Sequence, residues 1–128
     1  MRSWEFGLIR TFEDTVRRNG EAVFFRFADA DENGRGADVA ITYGQARLNA
    51  IALMHQMVRE GVQRGGFIAT DMGNCPAFVY TILACWYGGF KLITLNHRLT
   101  EDEKDERLRT VEDATRKVPM LQIGRAHV

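Results

Sequence analysis

The chain has only two cysteines, Cys75 and Cys85, and only two prolines among its 128 residues. Two thiols at that spacing make neither a disulfide framework nor a metal-ligand pair, and a reducing cytoplasm is the expected setting. So few prolines exclude a low-complexity linker protein. Charge of one sign is also missing, since 17 basic residues balance 17 acidic ones. A balanced chain carries no general electrostatic footprint for nucleic acid, so no nucleic-acid partner is expected. Apolar stretches are broken every few residues, leaving no run of about 18 for a transmembrane segment. Met1 to Asp14 carries acids early and lacks a long apolar core, so no secretory leader is expected there.

What is present is a globular composition, 45% hydrophobic and 27% charged. Thr11 to Arg18 has the pattern of a short helix, stopped by Asn19-Gly20. Ala22 to Ala28 contains Val23, Phe24, Phe25 and Phe27, a strand pattern. Asp29 to Asp38 is polar with two glycines and reads as a loop. Val39 to Ile41 is a short second strand that completes a hairpin.

Thr42-Tyr43-Gly44-Gln45 is a capping box, in which the threonine hydroxyl and the glutamine side chain each satisfy an orphan amide. Behind it, Tyr43, Ala46, Ala50, Met54, Met57 and Gly61 recur at three or four residues, widened by Ile51 and Val58. That spacing predicts a helix from Tyr43 to Glu60 with Gly61 as its stop. Phe67 to Thr70 is a short buried strand, and Asn74-Cys75-Pro76 opens a second helix, apolar nearly all round, over Ala77 to Tyr87. Gly88-Gly89 ends it. Phe90 to Leu95 is the next strand, and Thr100-Glu101-Asp102-Glu103 is a second capping box before a charged helix from Glu101 to Glu112. Two strands joined by one helix form a βαβ unit with parallel strands. The fold class is therefore α/β, a front β-hairpin followed by a βαβ unit.

Five segments in order carry a resemblance. They are Thr42-Tyr43-Gly44-Gln45, Gly61-Val62-Gln63-Arg64-Gly65-Gly66, Asn74-Cys75-Pro76-Ala77-Phe78, Tyr87-Gly88-Gly89 and Leu95-Asn96-His97-Arg98-Leu99-Thr100. In this order and spacing the stretch from Phe12 to Leu108 resembles the N-terminal part of the acyl-adenylate-forming superfamily. That superfamily includes acyl-CoA synthetases, adenylation domains and luciferases. The chain departs from the family pattern at Gly66, where an acid is usual, at Ala77, where glutamate is frequent, and at His97, where proline is usual.

The resemblance implies an incomplete part of the large N-terminal domain of an AMP-forming acid-thiol ligase. The intact enzyme would use ATP, magnesium and CoA and act on a small-molecule carboxylate, with a role such as fatty-acid metabolism. The family's Ser/Thr/Gly-rich phosphate loop, its aromatic-Thr-Glu motif and its late lysine are absent from the sequence, so no catalytic residue is assigned. Residues 1–115 are expected to be the truncated AMP-binding part. Residues 116–122 are uncertain and readable as out of frame. Ile123 to Val128 resembles one translated frame of a sequencing adapter and is set aside as a scar.

Arg98 follows a parallel strand, where α/β folds bind ligands. The matching arginine of family CoA ligases lies near a CoA phosphate, a task suited to a guanidinium fork. The plainer reading is an arginine that braces its loop. His97 is of a residue type that titrates near neutrality, but a surface loop histidine is the better account of it, and His55 falls on the exposed or flanking face of the first long helix. His127 belongs to the suspected scar. Cys75 sits at a helix N-terminus, where a thiol pKa can fall, yet it reads as a small residue in the cap region. Cys85 reads as core.

Gly65-Gly66 and Gly88-Gly89 match no phosphate-cradling pattern and read as stops. The acidic run Glu101, Asp102, Glu103, Asp105 and Glu106 reads as a solvated helix start rather than a metal site. The Asp29–Asp38 loop resembles a calcium loop only faintly, because Ala40 stands where the bidentate glutamate belongs. Two other functions remain open: an adenylate-forming enzyme that loads a carrier protein, and a small stand-alone α/β binding module such as a signalling receiver. The module would need clustered acids at strand ends, and Asp71 alone is placed so.

Overall fold

The structure is a computed structural model that describes residues 3–30, 36–72, 75–96, 98–115 and 120–123. Helix α1 (Ser3–Asn19) leads into the antiparallel pair β1 (Val23–Ala30) and β2 (Gly36–Thr42). Helix α2 (Tyr43–Arg59), strand β3 (Phe67–Thr70), helix α3 (Pro76–Gly88) and strand β4 (Lys91–Thr94) follow. Helix α4 (Glu101–Thr115) and strand β5 (Met120–Ile123) complete the order. The α/β class, the front hairpin and the parallel β3–β4 pair agree with the sequence reading.

Three elements differ from it. Helix α1 starts at Ser3 rather than Thr11. No proline stops the earlier turns, and Gly7 alone weakens them. The hairpin runs out to the pair Ala30↔Gly36, so both ends of the stretch read as a loop are strand. Cross-strand pairing overrides local polarity there. The tip, residues 31–35, lies outside the described residues, as do Asn74, His97 and His127. Strand β5 pairs parallel with β3, from Phe67↔Met120 to Thr70↔Ile123, where the sequence pattern marked no element.

Helix α2 begins as its capping box requires. Gln45 N–H donates to Thr42 Oγ1 at 3.1 Å, and Thr42 N–H donates to Gln45 Oε1 at 3.0 Å. Ala46, Ala50 and Met57 are buried, but Val58 faces solvent, so the apolar stripe is narrower than its spacing indicated. Leu53 packs on the core in its place. Helix α3 ends at Gly89 with φ +71°, a left-handed cap that glycine adopts without penalty.

Two apolar clusters share α2 and α3. Met57, Val62, Ile68, Ala84, Cys85 and Phe90 join those helices to one face of the sheet. Phe12, Ala46, Ala50 and Leu83 join them to α1, with Phe24 and Ile41 of the hairpin packed alongside. A third cluster, Ala69, Leu95 and Leu108, joins the opposite face of the sheet to α4.

A polar staple ties the three front helices. Glu13 of α1 accepts from Arg47 Nε of α2 at 2.7 Å and from the Tyr87 hydroxyl of α3. Burial works to raise the Glu13 pKa. The hydrogen bonds from Arg47 and Tyr87 outweigh it and hold the carboxyl below its ordinary 4.5. Burial, then the bond to Glu13, pushes Tyr87 above its usual range.

A depressed folded pKa means that Glu13 contributes stability above its unfolded pKa and loses that contribution as pH falls through the folded value. Glu13→Gln should therefore cost about 1 kcal/mol near neutral pH, a modest figure because both Glu13 and Arg47 are about a third exposed. The gap to wild type should close as pH drops below about 4.5, which thermal melts at stepped pH will measure. A gap independent of pH would show that Glu13 acts through packing alone.

Candidate functional site

Successive residues of β3 point to opposite faces, as strand geometry demands. Ile68 packs with α2 and α3, while Ala69 packs with Leu95 and Leu108 of the α4 side. The strand order β4-β3-β5 sends the chain from β3 to β4 through α3, then back across β3 to β5 through α4. The connections after β3 and β4 thus leave toward opposite faces. Neighbouring strands whose carboxyl-end loops diverge in this way open a crevice, the usual ligand site of a parallel α/β sheet.

Thr70, Asp71, Thr94, Leu95 and Asn96 stand at that end. Leu95 N–H donates to the Thr70 carbonyl at 2.8 Å, which closes the parallel ladder. The Thr70 hydroxyl oxygen is buried and, among the described residues, has no hydrogen-bond partner. Asp71 Oδ2 accepts from Lys104 Nζ of α4 at 2.7 Å, with both side chains buried. That bond outweighs burial, which works to lower it, and holds the Lys104 ammonium above its usual pKa, with Glu101 Oε1 a second acceptor at 3.5 Å.

Arg98 is exposed beside this end, and its backbone N–H donates to Asn96 Oδ1 at 3.0 Å. Asn96 and the Arg98 backbone do the bracing. Among the described residues the guanidinium itself has no hydrogen-bond partner. The second capping box closes the loop on α4, with Glu103 N–H to Thr100 Oγ1 and Thr100 N–H to Glu103 Oε1, both at 3.2 Å. The Thr100 amide and hydroxyl hold Glu103 below the usual carboxylate range.

His55 is exposed on α2. Gly65 N–H donates to the Gly89 carbonyl at 2.8 Å and Gly66 N–H to the Gln63 carbonyl at 2.7 Å, so neither amide is free to cradle an anion. Of the acidic run, Glu101, Asp102, Glu103 and Glu106 are exposed and Asp105 is half-buried. No group of three or more His, Cys, Asp or Glu residues that could hold a metal occurs among the described residues. Nor is any described helix long and apolar enough to cross a membrane.

A groove of about 700 Å³ between α1 and α3 carries Leu8, Phe12, Val79, Ile82 and Trp86, and among the described residues its polar groups are the Thr11 and Thr15 hydroxyls. Lys104 is the residue that sequence reasoning missed. Its signal was positional: four residues before Leu108, it shares the face of α4 that carries the apolar contact.

An α/β chain with a switch point at the carboxyl ends of its parallel strands is a ligand-binding architecture, and comparison gives it a family. The family described as AMP-binding enzyme matches residues 12–115, and the chain belongs to it. Among solved structures, it is similar to o-succinylbenzoate coenzyme A synthetase from Bacillus subtilis in complex with AMP. The identity is 20% and the TM-score 0.69, over 91% of this chain and 27% of that one. The N-terminal subdomain of NpsA from Klebsiella oxytoca is similar at 18% identity and TM-score 0.70, over 93% of this chain and 28% of that one. An artificially fused adenylation–PCP di-domain, NpsA-ThdA from Klebsiella oxytoca, gives 20% identity and TM-score 0.69, over 88% and 22%. The chain thus spans about a quarter of the length of the structures it matches. None of the curated proteins matches it.

The described residues do not by themselves fit magnesium or the ATP triphosphate. No acid cluster is assembled among them. No chemical step is derived through either group.

The two thiols differ in a way that labelling will read. Cys85 is buried in α3, and burial pushes its thiol up to about 12. Cys75 is half-buried at the N-cap of α3, with no side-chain cap bond. A maleimide at pH 7 should modify the native chain once, at Cys75, and reach Cys85 only on unfolding. Peptide mapping that finds Cys85 labelled first in the native chain would contradict this packing of α3.

Proposed function

We propose that this chain is the N-terminal part of an ATP-dependent carboxylate-CoA ligase. The parent enzyme joins a carboxylate to ATP, releases pyrophosphate, and passes the acyl group to the CoA thiol. Adenylation turns a poor leaving group into a good one, which is why the first step precedes thioester formation. The observation that carries the reading is the family match over residues 12–115, on a chain about a quarter the length of its structural relatives. The parent is read as a cytoplasmic enzyme with ATP, magnesium and CoA as its cofactors and co-substrates and a small carboxylate as its substrate. Residues 1–115 are its AMP-binding part. Residues 116–122 are read as uncertain in frame and 123–128 as a sequencing or cloning scar, a reading that stands against the pairing of Met120–Ile123 with β3.

Within this reading Arg98 contacts a CoA phosphate. It is exposed, its loop is braced by Asn96 rather than by its own guanidinium, and it stands at the carboxyl end of a parallel strand. A second reading, an adenylate-forming enzyme that loads a carrier protein, is favoured by the likeness to the adenylation–PCP di-domain. The stand-alone signalling module has less support, because Asp71, the acid it would use, is bonded to Lys104.

The purified 128-residue chain should give no pyrophosphate exchange above background with ATP and a panel of carboxylates. Clear exchange would overturn the reading of this chain as an inactive part.

In the longer enzyme, Arg98→Ala should raise the KM for CoA roughly ten- to hundredfold, the loss of a charge-assisted contact worth about 1.5–3 kcal/mol. The KM for ATP should hardly move. Equal effects on both would return Arg98 to a bracing role, and thioester formed on a carrier protein but not on CoA would favour the second reading.

A further inference from the structure

Strand β4 and helix α4 are joined by a short connection that carries Asn96, Arg98 and Thr100. It is held at two ends. At one end, Leu95 N–H bonds the Thr70 carbonyl at 2.8 Å. At the other, Lys104 donates its backbone N–H to the Thr100 carbonyl at 2.9 Å and its Nζ to Asp71 Oδ2 at 2.7 Å. Thr70 and Asp71 are consecutive, so both anchors converge on the carboxyl end of β3.

The second anchor is chemically unusual. Lys104 and Asp71 are 5% and 9% exposed, and they lie on the face of the sheet whose other contacts are Ala69, Leu95 and Leu108. Apolar residues of similar volume would satisfy such a position at least as well, since taking two charges out of water offsets most of their attraction. Apolar contacts are also non-directional. A buried ammonium and carboxylate must stay within hydrogen-bond reach of each other, because a shift of α4 that parts them leaves two unpaired buried charges. Lys104 lies one turn inside α4, so the bond fixes the first turn of that helix, and through its capping box the residues just before it.

The structure assigns Lys104 and Asp71 a role as positioning residues. Their buried ion pair sets the pose of the Asn96–Arg98 turn against the carboxyl ends of β3 and β4, and it acts through α4 rather than on any ligand. The functional consequence, a guanidinium held ready for phosphate, rests on the reading of Arg98 given above. The positional claim does not.

Hydrogen–deuterium exchange on the 128-residue chain tests it without any activity. Lys104→Met and Asp71→Asn should each speed exchange of peptides spanning 95–104 by roughly tenfold or more, while α2 keeps its protection. Lys104→Arg should restore much of that protection. The double variant Asp71→Leu/Lys104→Met removes both charges. It should recover the wild-type melting temperature and still leave 95–104 fast to exchange.

If the double variant regains full protection there, packing rather than the ion pair sets the turn, and the proposal falls. It falls equally if the single variants loosen the whole chain uniformly or change nothing. Arg98→Ala should leave exchange across 95–104 as in wild type, so the phosphate reading and the positional one fail separately.

Discussion

The burial of α3 is the constraint on which the rest of this structure depends. Its sequence, Pro76 to Gly88, is apolar around most of its circumference, so it must be covered on more than one side. Helix α2 covers one side, where Ala46 and Ala50 present small side chains that let the two helices approach closely. Strands β3 and β4 cover another through Ile68 and Leu92. Helix α1 and the hairpin close a third through Phe12, Val16, Phe24 and Ile41. Both front clusters therefore run through one helix, and the hairpin, which has a two-stranded sheet of its own, owes its place to it.

Covering α3 on one face of the sheet leaves the other face bare, and α4 fills it. This division has a functional outcome. Because α3 and α4 depart from neighbouring strands toward opposite faces, their loops separate at the carboxyl ends of β3 and β4. The crevice follows from the packing and needs no special residue to create it. What the sequence adds is the furniture at its rim: Asn96, Arg98, the Thr100 cap and the Asp71–Lys104 pair.

The electrostatics separate into two kinds. Glu13, Arg47 and Tyr87 form a half-buried staple that helps hold α1 against α2 and α3. Its partners are partly wet, so it refines the packing more than it determines it. The Asp71–Lys104 bond is buried, so parting its charges is costly, and it ties the first turn of α4 to the carboxyl end of β3. The chain belongs to the AMP-binding enzyme family and spans only about a quarter of its structural relatives.

The sequence by itself determined what is local. Capping boxes at Thr42 and Thr100 place two helix starts because their partners lie three residues away. Glycines at 61 and 89 place two stops because few other residues take positive φ readily. The apolar runs of β3 and β4 needed only their turn signals, and the ordered motifs carried the family. Tertiary structure decided what depends on a distant partner. The hairpin lengthened because pairing stabilises residues that look like a loop alone. Strand β5 exists as an edge of β3, for which its own four residues give no sign. Val58 falls on the solvent side of α2 while Leu53 takes the core, since the width of an apolar stripe is set by the curvature of what it packs against. Asp71 and Lys104 are 33 residues apart in the chain, and although Asp71 reads as a strand-end acid, nothing local pairs it with Lys104 until the fold buries both together.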